Sequence, residues 1–237
     1  MKAFLLAAGK GTRLRPITEE IPKCLVPIKG KALLKIWLEH LYGHGVDEVL
    51  ISTHHLAAQV EAFARENRNG VPRIRLSYEP ALLGSAGTVW ANKDFVDQEE
   101  DFFIIYADNL TDLTLSHMLL YHRRHGGPLT MGLFKSSSPE SCGIAAVDGE
   151  RLIVGFEEKP KKPKGNLANA GIYVASQQIF KFFPADEISA EVPLDFGHHI
   201  LPRLVGNMYG YVVDSFLMDI GTLENYELAQ RIWADGA

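Results

Sequence analysis

The chain has 237 residues, of which 46% are hydrophobic and 22% charged, and its formal net charge is -5. This length suits one large α/β domain or two small ones, and the composition is that of a soluble globular protein. An acidic chain is a poor general nucleic-acid binder, and no apolar run reaches the roughly 18 residues of a membrane helix. We therefore expect neither nucleic acid nor a membrane as a partner. Cys24 and Cys142 show no paired spacing, which favours a reduced, cytoplasmic protein without structural disulfides or zinc.

The most specific pattern lies in the first thirty residues. An apolar run at 4–8, the predicted first strand, leads into a basic, glycine-rich stretch at 9–16 and then into a second motif at 22–27. A short buried strand that enters such a loop presents backbone N–H groups and cations to phosphate. We predict that the loop stays irregular until about Lys31, and loops of that length are usually functional. The pattern indicates a nucleoside triphosphate site.

Two familiar phosphate-binding loops do not fit this stretch. A Walker A loop needs Ser or Thr after its Gly-Lys pair, and here Gly11 occupies that position. A dinucleotide fingerprint needs a third glycine where a helix opens, but that position is Leu14. Pro16 and Pro22 also interrupt the segment, so no long helix is expected there.

Helix-like and strand-like patterns alternate as far as about Lys135, and after it strands follow one another with little helix between them. This order predicts an α/β protein, three layers α/β/α around a mostly parallel, mixed sheet. The predicted helices cover residues 32–42, 56–67, 85–91, 113–125, 198–205 and 222–233, with another around Gln178. The later predicted strands cover residues 48–52, 73–77, 102–106, 129–134, 143–147, 152–156 and 170–175.

Four stretches with chemically active residues follow predicted strands. They are residues 9–13, the stretch around Gly84, Asp108-Asn109 and Glu158-Lys159. Open α/β sheets bind ligands beyond the carboxyl ends of their strands, so this placement favours a ligand site. Asp108 in particular follows a strongly apolar strand, where a carboxylate is costly unless it is paired or holds a metal ion.

The motif Leu-Ala-Ala-Gly-Lys-Gly-Thr-Arg-Leu-Arg-Pro at 6–16, followed by Pro-Lys-Cys-Leu-Val-Pro at 22–27, resembles the signature of the sugar-1-phosphate nucleotidyltransferases, also called nucleotide-sugar pyrophosphorylases. Further stretches are similar to family motifs: Leu-Gly-Ser-Ala-Gly at 83–87, Glu-Lys-Pro at 158–160 and Asp-Ile-Gly-Thr at 219–222. The chain departs from the family in having Ser85 in place of Thr, and Ala107 in place of the Gly before Asp108.

The resemblance extends from Met1 to about Ala229 and implies the nucleotide-diphospho-sugar transferase fold, which is Rossmann-like. It implies a single nucleotidyltransferase domain over residues 1–237, with a nucleotide-binding half at about 1–134 and a sugar-binding half at about 135–237. The sequence shows no hexapeptide periodicity, so the C-terminal β-helix domain of some relatives is not expected.

Carried over residue by residue, the resemblance implies a catalytic set, a nucleotide site and a sugar site. The catalytic residues would be Arg13, Lys23, Asp108, Lys159 and Asp219, with Asp108 and Asp219 holding Mg²⁺. The nucleotide would contact Ala7, Ala8, Gly9, Lys10, Gly11, Thr12, Glu79, Gly84 and Ser85, and the sugar would contact Gly143, Glu158 and Asn169.

Within this resemblance, Glu79 would face the hydrogen-bonding edge of the base. A carboxylate only accepts hydrogen bonds, which suits the two adjacent donors of guanine better than the single donor of uracil or thymine. We therefore expect GTP, and a mannose or heptose 1-phosphate guanylyltransferase is the first expectation. A uridylyltransferase for an amino-sugar or muramic acid phosphate is second, and a cytidylyltransferase for a phosphorylated small alcohol is third.

Other readings of the chain remain. A catalytically silent nucleotide-sugar sensor would be expected to lack a metal carboxylate or a phosphate-binding cation, and all five residues of the catalytic set are present. The pairs His54-His55 and His198-His199 have no third metal ligand at a useful spacing, so we predict solvated or hydrogen-bonded histidines. The sequence leaves the sugar open, and the oligomeric state is compatible with a homo-oligomer.

Overall fold

The structure, a computed structural model, describes residues 1–184 and 192–234. The chain divides into two compact units that are each built from separate stretches of sequence. The first unit contains Met1–Leu82, Ile105–Leu113 and the chain from Ser215 onward. The second contains Leu83–Ile104 and Thr114–Asp214. The predicted nucleotide-binding half at 1–134 and sugar-binding half at 135–237 are defined by the ligand that each would bind, whereas the two units are defined by contacts within the chain. The two halves therefore stay a prediction.

Helices and strands alternate through most of the described chain. The α-helices are α1 (Ile17–Glu20), α2 (Leu33–Gly43), α3 (Ala57–Glu66), α4 (Ser85–Ala91), α5 (Leu115–His125), α6 (Leu201–Leu204) and α7 (Leu223–Ile232). The strands are β1 (Lys2–Leu6), β2 (Pro27–Ile28), β3 (Lys31–Ala32), β4 (Glu48–Thr53), β5 (Arg73–Tyr78), β6 (Asp101–Tyr106), β7 (Asn109–Thr111), β8 (Leu129–Lys135), β9 (Gly143–Val147), β10 (Ile153–Glu158), β11 (Leu167–Ser176), β12 (Met208–Val212) and β13 (Leu217–Asp219).

In the first unit, β1, β4 and β5 are parallel neighbours in that order. Glu48 at the start of β4 lies beside Lys2 of β1 and Arg73 of β5, so the three strands run in register. Their carboxyl ends therefore reach one edge of the sheet, where the residues after β1, β4 and β5 lie. Apart from Leu6 at the end of β1, the apolar side chains of β1 and β4 are fully buried, as expected for parallel strands covered on both faces.

A second, two-stranded sheet in the first unit joins distant parts of the chain. β7 and β13 are antiparallel, with Asp219 opposite Asn109 and Leu217 opposite Thr111. Trp37 of α2 is buried beneath them and donates its indole N–H to the carbonyl of Asn109 at 2.6 Å. This pairing brings the stretch before α7 to the stretch after β6.

In the second unit, the strands form a mixed arrangement. β8 pairs with β11 in the antiparallel sense and with β12 in the parallel sense, and β9 pairs antiparallel with β10 and β11. The register of β11 shifts between Asn169 and Tyr173, where Gly171 has a φ of 65°. That backbone conformation suits glycine and marks a β-bulge.

The α/β class and the mixed, mostly parallel sheet with flanking helices are confirmed. The helix predicted at 85–91 has the observed bounds, and most other predicted elements begin and end within three residues of the observed ones. Within the described residues, no helix is long and apolar enough to cross a membrane.

Two predicted helices are different in kind. The helix predicted around Gln178 is a 3-10 helix over Gln177–Phe182. The helix predicted at 198–205 begins as a π-helix, Phe196–Ile200, and only Leu201–Leu204 is α-helical. Pro202 has no N–H to donate, which accounts for the change of hydrogen-bonding pattern before it.

The prediction of an irregular loop up to Lys31 was also wrong in part. The stretch contains the four-residue helix α1 and two 3-10 turns, Thr12–Leu14 and Lys23–Leu25. Single turns carry no repeating apolar pattern, so periodicity could not detect them.

Candidate active site

The predicted phosphate loop of the first unit, residues 7–13, starts where β1 ends. The N–H of Ala7 donates to Ser52 Oγ at 3.1 Å, which ties the start of the loop to β4. Ala8 is buried, whereas Gly9 and Lys10 are exposed. Gly11 has a left-handed backbone, with φ 62° and ψ 27°, and turns the chain into the 3-10 turn that carries Thr12 and Arg13. The predicted nucleotide-binding residues 7–12 thus form one continuous surface loop.

Four of the five predicted catalytic residues meet in the first unit. Lys23 Nζ lies 2.5 Å from Asp108 Oδ2 and 3.4 Å from Asp219 Oδ1. Arg13 Nη2 lies 3.5 Å from the other oxygen of Asp219, Oδ2. The pairing of β7 with β13 causes this convergence, because the N–H of Ile220 donates to the carbonyl of Asp108 at 2.9 Å. Residues up to 206 positions apart in sequence thereby form one charged cluster.

The electrostatics of the cluster are those of two carboxylates competing for cations. Burial raises the pKa of Asp219, the negative charge of Asp108 raises it further, and Lys23 and Arg13 oppose the rise. Two carboxylates that converge on a single ammonium group form a donor set that fits Mg²⁺, which proteins bind through one or two carboxylates together with phosphate and water oxygens.

Helix α7 fixes the position of Asp219. Thr222 caps the helix by accepting from the N–H of Asn225 at 3.2 Å, and the side chain of Asn225 donates to the carbonyl of Asp219 at 2.8 Å. Thr222 is therefore the N-cap of α7, and this arrangement holds the backbone of the carboxylate in place.

Glu79 lies directly after β5 and is 1% exposed. Its N–H donates to the carbonyl of Thr53 at 2.8 Å, and its own carbonyl accepts from His54 Nδ1 at 2.7 Å. His55 Nε2 likewise bonds to a carbonyl, that of Thr18, at 2.7 Å. The prediction that these two histidines are satisfied by hydrogen bonds is confirmed.

The predicted base-binding stretch at 83–87 begins the second unit. Gly84 has a φ of 79°, and a Cβ there would lie 2.5 Å from the carbonyl oxygen of Leu194. The same carbonyl accepts from the N–H groups of Ala86 and Gly87, at 2.9 and 3.0 Å. Gly84 is thus required by the close approach of another backbone segment, and its contact with a base stays a prediction.

Ser85 connects the same two segments through its side chain. Its hydroxyl donates to Asp195 Oδ2 at 2.9 Å and accepts from the N–H of Phe196 at 2.8 Å. A threonine hydroxyl could make the same two bonds, so the departure from the family motif at this position preserves the hydrogen-bonding groups.

Glu158 is enclosed by two glycines of the second unit. A Cβ on Gly143 would lie 2.5 Å from Glu158 Oε2, and a Cβ on Gly197 would be closer still. Burial raises the pKa of Glu158; Lys159 opposes the rise, Asp195 adds to it and His198 opposes it. The carboxylate therefore has little room beside its two neighbouring glycines.

Lys159 and Asn169 complete the predicted residues of the second unit. Lys159 has a φ of 47°, its side chain is 63% exposed and its Nζ lies 4.0 Å from Glu158 Oε1. Asn169 accepts from the N–H of Gly171 at 2.9 Å and donates to the hydroxyl of buried Tyr173 at 2.6 Å. Asn169 is thereby fixed in one orientation, with one amide hydrogen left for another acceptor.

Three residues that sequence reasoning did not single out take part in these arrangements. Asp195 and Gly197 border Glu158, and Thr18 supports the predicted phosphate loop and is itself bonded to His55. Asp195 and Gly197 follow no predicted strand and belong to no motif used above, so the sequence contains no signal for them. Thr18 lies in a turn too short to be recognised.

A cavity of about 670 Å³ in the first unit contains none of the predicted residues. It is lined by the end of α3 and by the starts of β4 and β5, including Glu48, Arg65 and Arg73. Starts and ends of parallel strands lie on opposite edges, so this cavity is distinct from the charged cluster.

This is an α/β protein with a glycine-rich loop at the carboxyl edge of its parallel strands. Two carboxylates and two cations cluster in the same unit. A family model described as nucleotidyl transferase matches residues 2–235, and the chain belongs to this family, which includes the sugar-1-phosphate nucleotidyltransferases.

Two curated relatives and one solved structure illustrate the similarity. A UTP--glucose-1-phosphate uridylyltransferase of Synechocystis is 32% identical over 98% of this chain and 63% of its own length. The mannose-1-phosphate guanylyltransferase catalytic subunit beta of Dictyostelium discoideum is 30% identical over 95% of this chain and 62% of its own length. A crystal structure from Bacillus anthracis, provisionally assigned as a glucose-1-phosphate thymidylyltransferase, has a TM-score of 0.86 at 24% identity and covers 100% of this chain and 98% of that one. The chain thus spans somewhat less than two thirds of the curated relatives, and the solved structure shows the fold.

Proposed function

We propose that this protein transfers a nucleoside monophosphate from a nucleoside triphosphate, preferably GTP, to a sugar 1-phosphate. The products are an NDP-sugar and pyrophosphate, and the reaction depends on Mg²⁺. The observation that carries the proposal is the convergence of Lys23 and Arg13 on the carboxylates of Asp108 and Asp219. The cytoplasmic location, expected from two unpaired cysteines, is part of the same proposal.

The chemistry is an in-line displacement. An oxygen of the sugar 1-phosphate attacks the α-phosphorus, the bond from that phosphorus to the bridging oxygen breaks, and pyrophosphate leaves. No covalent enzyme intermediate is required, so the protein contributes positioning and charge neutralisation. Arg13 and the loop N–H groups hold the departing phosphates, Lys23 holds the α-phosphate, and Lys159 holds the phosphate of the sugar.

The metal proposal concerns the two aspartates. Asp108 and Asp219 would hold Mg²⁺, which when bound would neutralise negative charge on the reacting phosphates. Lys23 neutralises the same carboxylates in this structure, and its ammonium group is free to turn to an α-phosphate once another cation balances them. The cluster can therefore bind phosphate and metal without leaving either carboxylate unbalanced.

The preference for GTP rests on Glu79. The residue is buried after β5 with both backbone groups hydrogen-bonded, so its backbone position is fixed. A carboxylate there offers acceptors only, which match the N1–H and N2 amino donors of guanine. The relative named mannose-1-phosphate guanylyltransferase supports this preference.

The sugar site rests on Glu158 and Asn169. Glu158 can accept hydrogen bonds from sugar hydroxyls, and Asn169 retains an amide hydrogen for a hydroxyl oxygen. The glycines beside Glu158 leave room for its carboxylate but for no additional side chain.

The direct test measures pyrophosphate release with Mg²⁺ for GTP, UTP, dTTP, CTP and ATP against a panel of sugar 1-phosphates. We expect one strong combination in the GTP column. Absence of release from every combination, with nucleotide sugar still bound in calorimetry, would support a silent sensor and contradict the proposal.

A uridylyltransferase is the second candidate, because the relative named UTP--glucose-1-phosphate uridylyltransferase is 32% identical. The expectation from sequence was an amino-sugar or muramic acid phosphate, and both belong in the panel. Glu79→Gln separates the candidates. If Glu79 reads guanine, the variant lowers kcat/KM for GTP and raises the ratio of UTP to GTP use, whereas a uridylyltransferase keeps its activity with UTP, because a glutamine amide can pair with both the donor and an acceptor of uracil.

A further inference from the structure

The peptide between Gly11 and Thr12 is held on its carbonyl side. The carbonyl oxygen of Gly11 accepts from Thr18 Oγ1 at 2.8 Å and from the N–H of Leu14 at 2.9 Å. A trans peptide is planar, so the N–H of Thr12 points in the direction opposite to this carbonyl. That N–H makes no hydrogen bond to any residue of 1–184 or 192–234.

Thr18 is placed for this role by close packing. It is 1% exposed, and its methyl group Cγ2 would lie 2.9 Å from a Cβ on Gly11. Only glycine accommodates both this contact and the φ of 62°. The hydroxyl of Thr18 therefore reaches the Gly11 carbonyl because the loop has no side chain at that point.

Thr18 is itself anchored to the connection between β4 and α3. His55 Nε2 donates to the carbonyl of Thr18 at 2.7 Å, and Gln59 Nε2 of α3 donates to the carbonyl of Glu20 at 2.7 Å. Helix α1, which carries Thr18, is too short to be stable alone and depends on such contacts.

We propose that Thr18 and His55 are positioning residues for the nucleotide, a role that rests on the proposed function. Together they keep the Gly11 carbonyl turned away from the phosphate side of the loop, so that the N–H of Thr12 is directed to the β- and γ-phosphates. Neither side chain touches the nucleotide. Without the Thr18 hydroxyl the peptide gains freedom to rotate, and rotation would present a carbonyl oxygen to phosphate oxygens.

The effect should be confined to ligands that contain the departing phosphates. Loss of one hydrogen bond of this kind corresponds to a change in affinity of about fivefold. We expect GTP and pyrophosphate to bind about fivefold more weakly to Thr18→Val, whereas GMP, which has only the α-phosphate, binds as before.

The experiment is calorimetry with Mg²⁺ and the three probes GTP, pyrophosphate and GMP. Thr18→Val keeps the methyl contact and removes the donor, Thr18→Ser restores the donor, and His55→Phe removes the anchor. Thr114→Val and His117→Phe are matched controls, since both residues are exposed and Thr114 makes no cap hydrogen bond to α5. Thermal unfolding of every variant provides a readout of structure.

Selective weakening of GTP and pyrophosphate in Thr18→Val and His55→Phe, with recovery in Thr18→Ser, supports the proposal. Unchanged GTP binding in both variants overturns it, as does equal weakening of GMP. If Thr18→Val does not fold, His55→Phe with its control carries the same comparison. If the unmodified protein binds neither GTP nor pyrophosphate, the proposed function fails and the positioning role fails with it. If the unmodified protein binds them and the Thr18 and His55 variants bind them equally well, only the positioning role fails.

Discussion

At the scale of single residues, Lys23 is the centre of the charged cluster. Its ammonium group is only 12% exposed at the side chain and lies between two carboxylates that repel each other. Without Lys23, Asp108 would lose the cation that lies 2.5 Å away, and Asp219 would keep Arg13 at 3.5 Å. Loss of a counter-charge is unfavourable, and water moderates the effect because the two carboxylate side chains are 32% and 42% exposed. Lys23 therefore has a role in the protein alone as well as in the proposed reaction.

We expect Lys23→Ala and Arg13→Ala each to lower kcat/KM by more than about 100-fold, because each cation would stabilise charge on a phosphate in the transition state. Pyrophosphate release under initial-rate conditions measures this. Lys161→Ala, a change at an exposed lysine in the loop after β10, is the control and should keep full activity. Near-normal turnover in both cluster variants would contradict the assignment.

Gly143 provides a second prediction at this scale. A Cβ at this position would lie 2.5 Å from Glu158 Oε2 and 2.6 Å from Cζ of Phe156, so Gly143→Ala must displace the carboxylate or the ring. We expect KM for the sugar 1-phosphate to rise at least about tenfold, since a misplaced group costs tenfold or more, with KM for the nucleotide little changed. Gly149→Ala, where a Cβ meets nothing within 4 Å, is the matched control.

Residues of the site could be predicted from sequence where they belong to motifs, and not where only packing defines them. Lys23, Asp108 and Asp219 were predicted individually, and the structure brings them together. Gly197 and Asp195 were missed, because their importance comes from the distance to Glu158, which depends on how distant segments pack. Gly84 has to be glycine because the backbone of Leu194 approaches it closely, and no local pattern encodes this contact.

At the scale of elements, helix α5 ends in a buried chain of hydrogen bonds. The N–H of Gly127 donates to His125 Nδ1 at 2.9 Å, so the proton of His125 is on Nε2, which donates to Thr130 Oγ1 at 2.7 Å. The hydroxyl of Thr130 then donates to His122 Nδ1 at 2.8 Å. His122 Nε2 faces Asp101 Oδ1 at 3.4 Å, and His125 stacks on Tyr209. The chain is complete only while His125 is neutral.

Burial, reinforced by His122, lowers the pKa of His125 from 6.5 to about 4. The unfolded chain therefore binds a proton that the folded chain does not, and the free energy of unfolding should fall as the pH drops from 6.5 toward 4. In urea unfolding across this pH range, the free energy of unfolding should fall less steeply for His125→Phe, a variant that keeps the stacking on Tyr209. His117→Phe, on the exposed side of α5, should retain the slope of the unmodified protein; an identical slope in His125→Phe would exclude this histidine as the source.

Regular elements could be predicted because the apolar spacing that is visible in the sequence is also what makes these segments bury one face in the core. Helix α2 buries Leu33, Trp37 and Leu41 on one face, and its pattern predicted it to within a residue. The π-helix at Phe196–Ile200 and the three-residue strand β13 were not predicted. The π-helix is a single turn held by local backbone hydrogen bonds, and β13 is a short strand that pairs with the distant β7, so neither element has an apolar period of its own to detect.

At the scale of the whole molecule, ligand binding should increase the free energy of unfolding. A ligand at 100 times its Kd that binds only the folded state adds about 2.7 kcal/mol to the free energy of unfolding. We expect GTP with Mg²⁺ to raise the midpoint of thermal unfolding, GTP with EDTA to raise it less, and ATP with Mg²⁺ to have little effect. Equal shifts with GTP and ATP would argue against recognition by Glu79.

The first unit is assembled from three stretches of chain, and the last of them supplies Asp219. During ribosomal synthesis the loop, Lys23 and Asp108 emerge early, but strand β13 can pair with β7 only after more than a hundred further residues have been made. Contacts of such long sequence separation form late in folding. A nascent chain should therefore acquire affinity for nucleotide only near the end of translation, and a chain stopped before Ser215 should never acquire it.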